Sequence, residues 1–233
     1  MSLKCLKLND MLAEPGQLFV VATPIGNLGD ISARAKHVLE SVDLVLCEDT
    51  RVTAKLMAGL EIRPSLNSFH EYTDSLKRKY FVDMLTAGKS LALVTDAGTP
   101  AISDPGSLLV ADAVAAGVIV TPIPGPSAAI AALSISGLPI ERFTFVGFPP
   151  HKKGRQTFFN ELAAIDHTVV LYESTHRIIK TLEALKEHGR PLVVGRELTK
   201  MHETIYRGLA EDVIKQIEAT SSKGEFVIVI APV

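Results

Sequence analysis

The sequence predicts an α/β protein of two lobes, and three observations carry that prediction. Short apolar runs alternate with helical stretches through the first half, a second series of strands and helices in a different order follows, and 233 residues are long for one domain but comfortable for two. The lobes are placed at residues 15–137 and 142–233, with a linker at 138–142 and a cleft between them.

In the first lobe, strand-like runs at 17–22, 43–47, 90–95 and 118–123 alternate with helices, the pattern of a mostly parallel sheet. The loops after them read TPIGNLGDIS, EDTR, DAGTPAISDPG and PIPGPSA, whereas the returns through Gly88 and Gly117 are short and plain. Ligands of open α/β sheets bind beyond the carboxyl ends of the strands, so the functional edge is where the unusual loops collect. In the third loop, Asp104 and Pro105 are expected to start the next helix as N-cap and first helical residue. Lys77, Arg78 and Lys79 lie on a helix whose apolar positions Leu76, Tyr80 and Met84 repeat every four residues, and they read as a solvated face. The helix after Gly125, PSAAIAALSISG, is apolar or small on every side, which predicts burial at a domain or subunit contact.

The second series runs strand 143–148, helix 156–164, strand 167–173, helix 175–188, strands 191–197 and 203–206, helix 209–218 and strand 225–230. Its order differs from that of the first lobe, so the two α/β lobes are of unequal topology.

A net charge of −2 argues against a surface that is one basic nucleic-acid clamp, because phosphate binding rests on neutralisation by Lys and Arg. The balance shifts along the chain: residues 1–140 carry 11 basic and 14 acidic groups, residues 141–233 carry 13 and 12, so a polyanion is better served by the second half. Cys5 and Cys47 are too few for a disulfide framework or a zinc cage, which points to a reducing cytoplasm. The seven histidines show no metal-ligand spacing, so no metal is expected. The apolar runs are strand-sized or broken by Gly and Pro, so no membrane association is expected, and the opening lacks a signal-peptide pattern. Met1 to Leu3 read as a cloning remnant.

Each motif has a plain reading beside a functional one. DAGTP alone is as consistent with a tight turn and capped helix as with a ligand site; its place at a strand end favours a site where Asp96 meets polar ligand groups and Gly98 permits close approach. PIPGPSA can pin a helix start and also offer amide groups to polar ligand atoms. Glu48, Asp49 and Arg51 are either a capped helix with an exposed ion pair or a reactive cluster at the lip of the cleft, and sibling loops on the same edge favour chemistry. His151, Lys152, Lys153 and Arg155 form the densest basic loop and suit phosphate contacts. His70 with Glu71, and His176 with Arg177, are second-tier candidates.

The motifs TPIGNLGDIS, CEDTR, DAGTPAISDPG, PGPSA, GFPP, YES-THR and RELTK, in this order and spacing, resemble the tetrapyrrole methylase superfamily over roughly residues 17–231. The resemblance implies a two-lobed class III methyltransferase fold, a homodimer, and S-adenosylmethionine held in the cleft between the lobes. It places Pro24, Asp96, Gly98, Pro100 and Ser103, together with Ser127, Ala128 and Tyr172, at the cofactor. Tetrapyrrole-acting members have a Gly-richer first loop. Here Thr23, Pro24 and Ile25 stand there, which favours the branch that modifies ribosomal RNA. For that branch the implied reaction is 2′-O-methylation of a cytidine in the decoding region of small-subunit (16S) rRNA, on the free RNA or the assembled subunit. Relatives are expected to carry a small helical extension after the last strand, which this sequence lacks.

Methyl transfer from a sulfonium is an in-line displacement, so alignment of the reactants supplies much of the rate, roughly 7–11 kcal/mol in favourable cases. A weakly acidic ribose hydroxyl also calls for a base, worth a factor of about 10²–10⁴. That base is placed within CEDTR, with Arg51 holding a phosphate or orienting the carboxylate, and Lys152, Lys153 and Arg155 on RNA phosphates. The alternatives are a methylase of the same fold acting on a tetrapyrrole or a protein side chain, and a non-catalytic RNA- or nucleotide-binding module.

Overall fold

The computed structural model describes residues 16–233. Met1 to Leu3, Cys5 and the lobe boundary at 15 lie outside the described residues. Packing divides the chain into a unit ending at Pro126 and a unit from Ser127 to Val233.

In the first unit, β1 (Gln17–Val21), β2 (Leu44–Cys47), β3 (Leu66–Ser68), β4 (Leu91–Leu93) and β5 (Ile119–Ile123) form a parallel sheet in the order β3-β2-β4-β1-β5. Alternation along the strands splits the core in two. Phe19, Val21, Val45, Cys47 and Ala92 pack against α1 (Ala33–Ser41) and α2 (Thr50–Gly59), while Leu18, Leu46, Leu91 and Leu93 pack against α3 (Ser75–Thr86) and α4 (Ser107–Ala115). Because every strand runs the same way, all strand-to-helix loops emerge on one edge. β3 has no counterpart in the sequence reading: of its three residues only Leu66 is apolar, too short a pattern to register.

α3 turns a different face inward from the one its apolar spacing suggests. Phe81 and Leu85 are buried, whereas Leu76 and Tyr80 are 79% and 56% exposed. Lys77 and Arg78 lean in instead: Lys77 Nζ donates to the Ser68 carbonyl at 2.6 Å and lies over the Phe81 ring, and Arg78 Nε donates to Asp112 Oδ2 at 2.8 Å. Only Lys79 keeps a solvated position, paired with Asp83. Long cationic side chains cover apolar surface with their stems while the heads find acceptors, which residue spacing alone does not reveal.

α4 also departs from expectation, beginning at Ser107 rather than Pro105. Its N-cap is Gly106 at φ 137°, with no side-chain cap. A Cβ on Gly106 would lie 2.7 Å from Leu93 Cδ2, so the chain must skim the buried strand before the helix can start. Asp104 is therefore left in the loop.

The second unit opens with α5 (Ala128–Ser134), which packs on β7 (Thr168–Ser174), β8 (Leu192–Arg196) and β10 (Glu225–Ile230). That packing sets the division before α5 rather than in the 138–142 stretch. Ala129, Ala132 and Leu133 are buried while Ile130 is exposed, so α5 is covered on one side only within its unit. With β6 (Phe143–Phe145) and β9 (Thr204–Gly208), the sheet order is β6-β7-β10-β8-β9; only β6 and β7 pair in parallel. The helices are α6 (Arg155–Ala163), α7 (Ile178–Leu185) and α8 (Ala210–Ala219). They cover a core that includes Phe159, Leu171, Leu182, Val213 and Phe226. The helix expected over 175–188 is α7 followed by a 3₁₀ turn, Lys186–His188, which Gly189 ends in the left-handed region. Among the described residues, no helix is long and apolar enough to cross a membrane.

Candidate active site

Two loops on the carboxyl edge of the first sheet are zipped together. Thr23 N–H donates to the Gly98 carbonyl at 2.9 Å, Gly98 N–H returns a bond to Thr23 at 3.1 Å, and Thr23 Oγ1 donates to the Thr95 carbonyl at 3.0 Å. Thr23 is fully buried, so the bridge fixes TPIG against DAGTP and sets Pro24 beside Gly98. Gly98 has φ 89°, which an L side chain would strain. Pro100 is buried, and Ala101 and Ser103 follow at φ 67° and 65°. Sparsely populated backbone concentrated in one short stretch costs of order 1 kcal/mol per residue and is typical of ligand-binding loops. Asp96 lies exposed at the tip, with Oδ1 accepting the Asp49 N–H at 3.3 Å.

Within the EDTR loop the Asp49 and Arg51 side chains bond to each other. Asp49 is the N-cap of α2, its Oδ1 accepting the Arg51 N–H at 2.8 Å and the Arg51 Nε–H at 3.0 Å, while Oδ2 meets Arg51 Nη2 at 2.6 Å. These bonds to Arg51 hold the Asp49 carboxyl down at about 2. A carboxylate so weakly basic is poorly suited to take a proton from a hydroxyl. The capped helix with its exposed ion pair is what the structure places at Asp49 and Arg51. Glu48 differs: desolvation, then the charges of Asp96 and Glu71, push its carboxyl up.

Glu48 lies on the wall of a cavity of about 530 Å³ within the first unit. The wall also includes His70, Glu71 and Arg78 from the β3 to α3 side and Ser103, Asp104 and Ser107 from the loop entering α4. Asp104 is the most perturbed of these groups. Desolvation, then the charge of Glu48 and that of Asp96, raise its carboxyl to about 6, against a partial opposing effect of Thr95. Desolvation also raises Asp96. Three carboxyls at the ends of β2 and β4 thus hold protons more tightly than free ones. The sequence reading used Asp104 only as a helix cap; the signal available was a second acidic residue within DAGTPAISDPG, and the late start of α4 is what frees it. His70 and Glu71 do reach the cavity, whereas His176 is exposed on the second unit.

In the second unit, Ser127 is the N-cap of α5 and makes no side-chain cap bond; the Ala129 N–H donates to Tyr172 Oη at 3.2 Å. Tyr172 is held edge-on by Phe145 and Phe148, at centroid distances of 4.8 and 5.5 Å. The start of α5 and Tyr172 are therefore neighbours within the second unit. In the basic loop, Lys152 and Lys153 are exposed, but Arg155 turns into the unit. Its Nη2 donates to Thr181 Oγ1 at 2.6 Å and Nη1 to the Pro150 carbonyl at 3.2 Å, with the guanidinium over the Phe159 ring. Thr181 in turn donates to the fully buried Glu173, which Arg177 neutralises at 2.7 Å. Arg155 thus anchors the loop that carries the two lysines.

Residues 17–214 match the family model described as Tetrapyrrole (Corrin/Porphyrin) Methylases. The chain is 48% identical over 225 residues to a Ribosomal RNA small subunit methyltransferase I of Xylella fastidiosa (strain Temecula1 / ATCC 700964), covering 94% of this chain and 82% of that one. It is 39% identical to the protein of the same name from Thermotoga maritima, covering 93% of this chain and 98% of that one. Two solved structures share the fold: a cobalt precorrin-4 methyltransferase at TM-score 0.66 and 19% identity, covering 98% of both chains, and a uroporphyrin-III-C-methyltransferase from Thermus thermophilus at TM-score 0.61 and 21% identity, covering 92% of this chain and 94% of that one.

Proposed function

We propose that this chain, which belongs to the tetrapyrrole methylase family, is an S-adenosylmethionine-dependent methyltransferase of small-subunit ribosomal RNA. Its similarity, at 48% and 39% identity over more than nine-tenths of this chain, to proteins named Ribosomal RNA small subunit methyltransferase I carries the reading. Within it, the acceptor is the ribose 2′-hydroxyl of a cytidine in the decoding region, the enzyme acts in the cytoplasm, and the working form is a homodimer.

S-adenosylmethionine, when bound, supplies a methyl carbon already activated by a sulfonium. The residues present fit it: Asp96 is an exposed carboxylate for amino or hydroxyl groups, and Gly98 at φ 89° makes the turn that follows it. Pro24, Pro100 and Ser103 shape the same loops, and Ser127, Ala128 and Tyr172 are the cofactor contacts of the second unit. Lys152 and Lys153 take RNA phosphates, with Arg155 bracing their loop from beneath. Of Glu48, Asp49 and Arg51, Glu48 faces the acceptor side, because Asp49 and Arg51 are spent on each other.

The test is transfer of labelled methyl from S-adenosylmethionine to small ribosomal subunits lacking the modification, followed by digestion to nucleosides. Label on 2′-O-methylcytidine is the expected outcome. Label on another nucleoside, or none while the cofactor binds, overturns the acceptor assignment.

A further inference from the structure

We propose that the cavity between the β2, β3 and β4 carboxyl ends and α4 seats the acceptor nucleotide, and that Asp104 takes the proton from its ribose hydroxyl. The inference rests on the methyltransferase reading above and deepens it by naming where the acceptor sits and which group activates it.

Four observations converge on that wall. The cavity, about 530 Å³, falls in the range of small-molecule sites. It opens beside the cofactor loop, since Ser103 belongs to both. Its lining carries two carboxyls, Glu48 and Asp104, both raised first by desolvation, and the charge of Glu48 helps hold the Asp104 proton more tightly. Its rim offers positive groups for the nucleotide's phosphate. Arg78 uses Nε on Asp112 and Nη1 on the Thr73 carbonyl, two of its five donors, and the first turn of α4 carries no side-chain cap where Gly106, Ser107 and Leu108 line the wall.

Geometry and basicity separate Asp104 from its neighbours. Asp49 is neutralised by Arg51, and Asp96 is held by the Asp49 amide. Among the described residues Asp104 makes no ion pair; desolvation acts on it most, then the charges of Glu48 and Asp96, with Thr95 opposing. His70, Glu71 and Arg78 complete the charged surroundings of the cavity. In the step, the O–H bond of the ribose hydroxyl breaks and its proton passes to an Asp104 carboxylate oxygen. The electron pair left on the ribose oxygen forms the new bond to the methyl carbon as sulfur keeps the pair of the broken C–S bond. The Asp104 proton then leaves to water.

The experiment compares the parent protein, Asp104→Asn and Asp104→Glu in single-turnover methylation of small subunits across pH 5–9. Cofactor affinity and thermal unfolding are read on the same samples. The parent rate is expected to rise with pH through about 6, where the carboxyl loses its proton. Asp104→Asn is expected to lose about 10²–10⁴ in rate, to lose that pH limb, and to bind S-adenosylmethionine with unchanged affinity. Asp104→Glu is expected to restore part of the rate and a pH limb.

Unfolding supplies a readout independent of activity. Asp104's folded pKa of about 6 lies above the free value of 3.8, so the folded state holds the proton more tightly. Stability therefore falls as pH rises from about 4 through 6, and Asp104→Asn is expected to melt higher than the parent at pH 7.5 but not at pH 3.5. A variant that is slower yet more stable has lost a functional group rather than a structural one. An Asn variant with parental rate and pH profile overturns the role of Asp104, as does a rate loss matched by lost cofactor affinity. Ser107→Trp, which fills the cavity, is expected to raise KM for subunits with cofactor affinity intact; an unchanged KM removes the acceptor from this cavity. Failure of the parent to label subunits at all strikes the function itself, a different result from these.

Discussion

EDTR and DAGTPAISDPG are both strand-to-helix loops on the same edge of one sheet, and both are acidic, yet the structure puts them to opposite uses. In EDTR the carboxylate caps the helix it precedes and the guanidinium two residues on closes the pair, so charge, hydrogen bonds and helix start are satisfied locally. In DAGTPAISDPG the helix starts late on a glycine, its first turn has no side-chain cap, and Asp104 is left without a cation among the described residues. Both loops carry aspartate. What differs is whether a partner lies within reach, and that decides whether a carboxylate supports the fold or is free for proton chemistry.

The contrast breaks most forcefully at the glycine. Gly106→Ala forces a Cβ into Leu93 at φ 137°, and a loss of about 2–4 kcal/mol is expected from urea unfolding. Near-parental stability would mean that the open loop is not built around that residue.

Asp96→Ala probes the loop without its glycine. Cofactor affinity measured by calorimetry is expected to fall about 10- to 100-fold, as for a lost charge-assisted hydrogen bond, with the thermal transition kept; unchanged affinity would move the cofactor elsewhere. Glu48→Gln sharpens the comparison in another way. Removing its negative charge lowers the Asp104 pKa, so the rising limb of the pH–rate profile is expected to shift to lower pH, and an unmoved limb would uncouple the two carboxyls.

The same division recurs in the basic loop, where Arg155 is engaged and Lys152 is not. Lys152→Ala is expected to reduce the salt slope of RNA binding by about 1, and an unaltered slope would take Lys152 off the phosphates. The smallest effect belongs to the closed loop. Asp49→Asn is expected to keep methyl transfer within about twofold of the parent, as for other exposed pairs, and a large loss of turnover would restore Asp49 as a reactive group.

Apart from β3, the strands of both units and the edge that collects the loops were legible because alternation and punctuation by Gly and Pro are local signals. So was the loop after β4, whose Asp96 and Gly98 follow the strand end and bond to the neighbouring loops. Partner choice was not legible. Nothing in EDTR says that Arg51 folds back on Asp49, nor does KRK say that Lys77 and Arg78 reach inward to Ser68 and Asp112. The start of α4 was misplaced for a similar reason: Asp-Pro is a good local opening for a helix, but the side chain of Leu93, on another element, fixes where the chain can bend. Inverting the face of α3 likewise required the third dimension.

The position of β1 bears on how the protein is made. Among the described residues this strand is the first to be synthesised, yet it lies inside the sheet, with Leu18 beside Leu91 on one side and Gln17 beside Ile119 on the other. During translation both of its edges stay unpaired until β4 and then β5 leave the ribosome, and closing such distant parallel pairs is slow. The Thr23 to Gly98 staple can form only after that insertion. The edge that collects the loops is therefore among the last parts of the first unit to take shape, and a nascent chain paused before residue 123 carries these loops without the scaffold that arranges them.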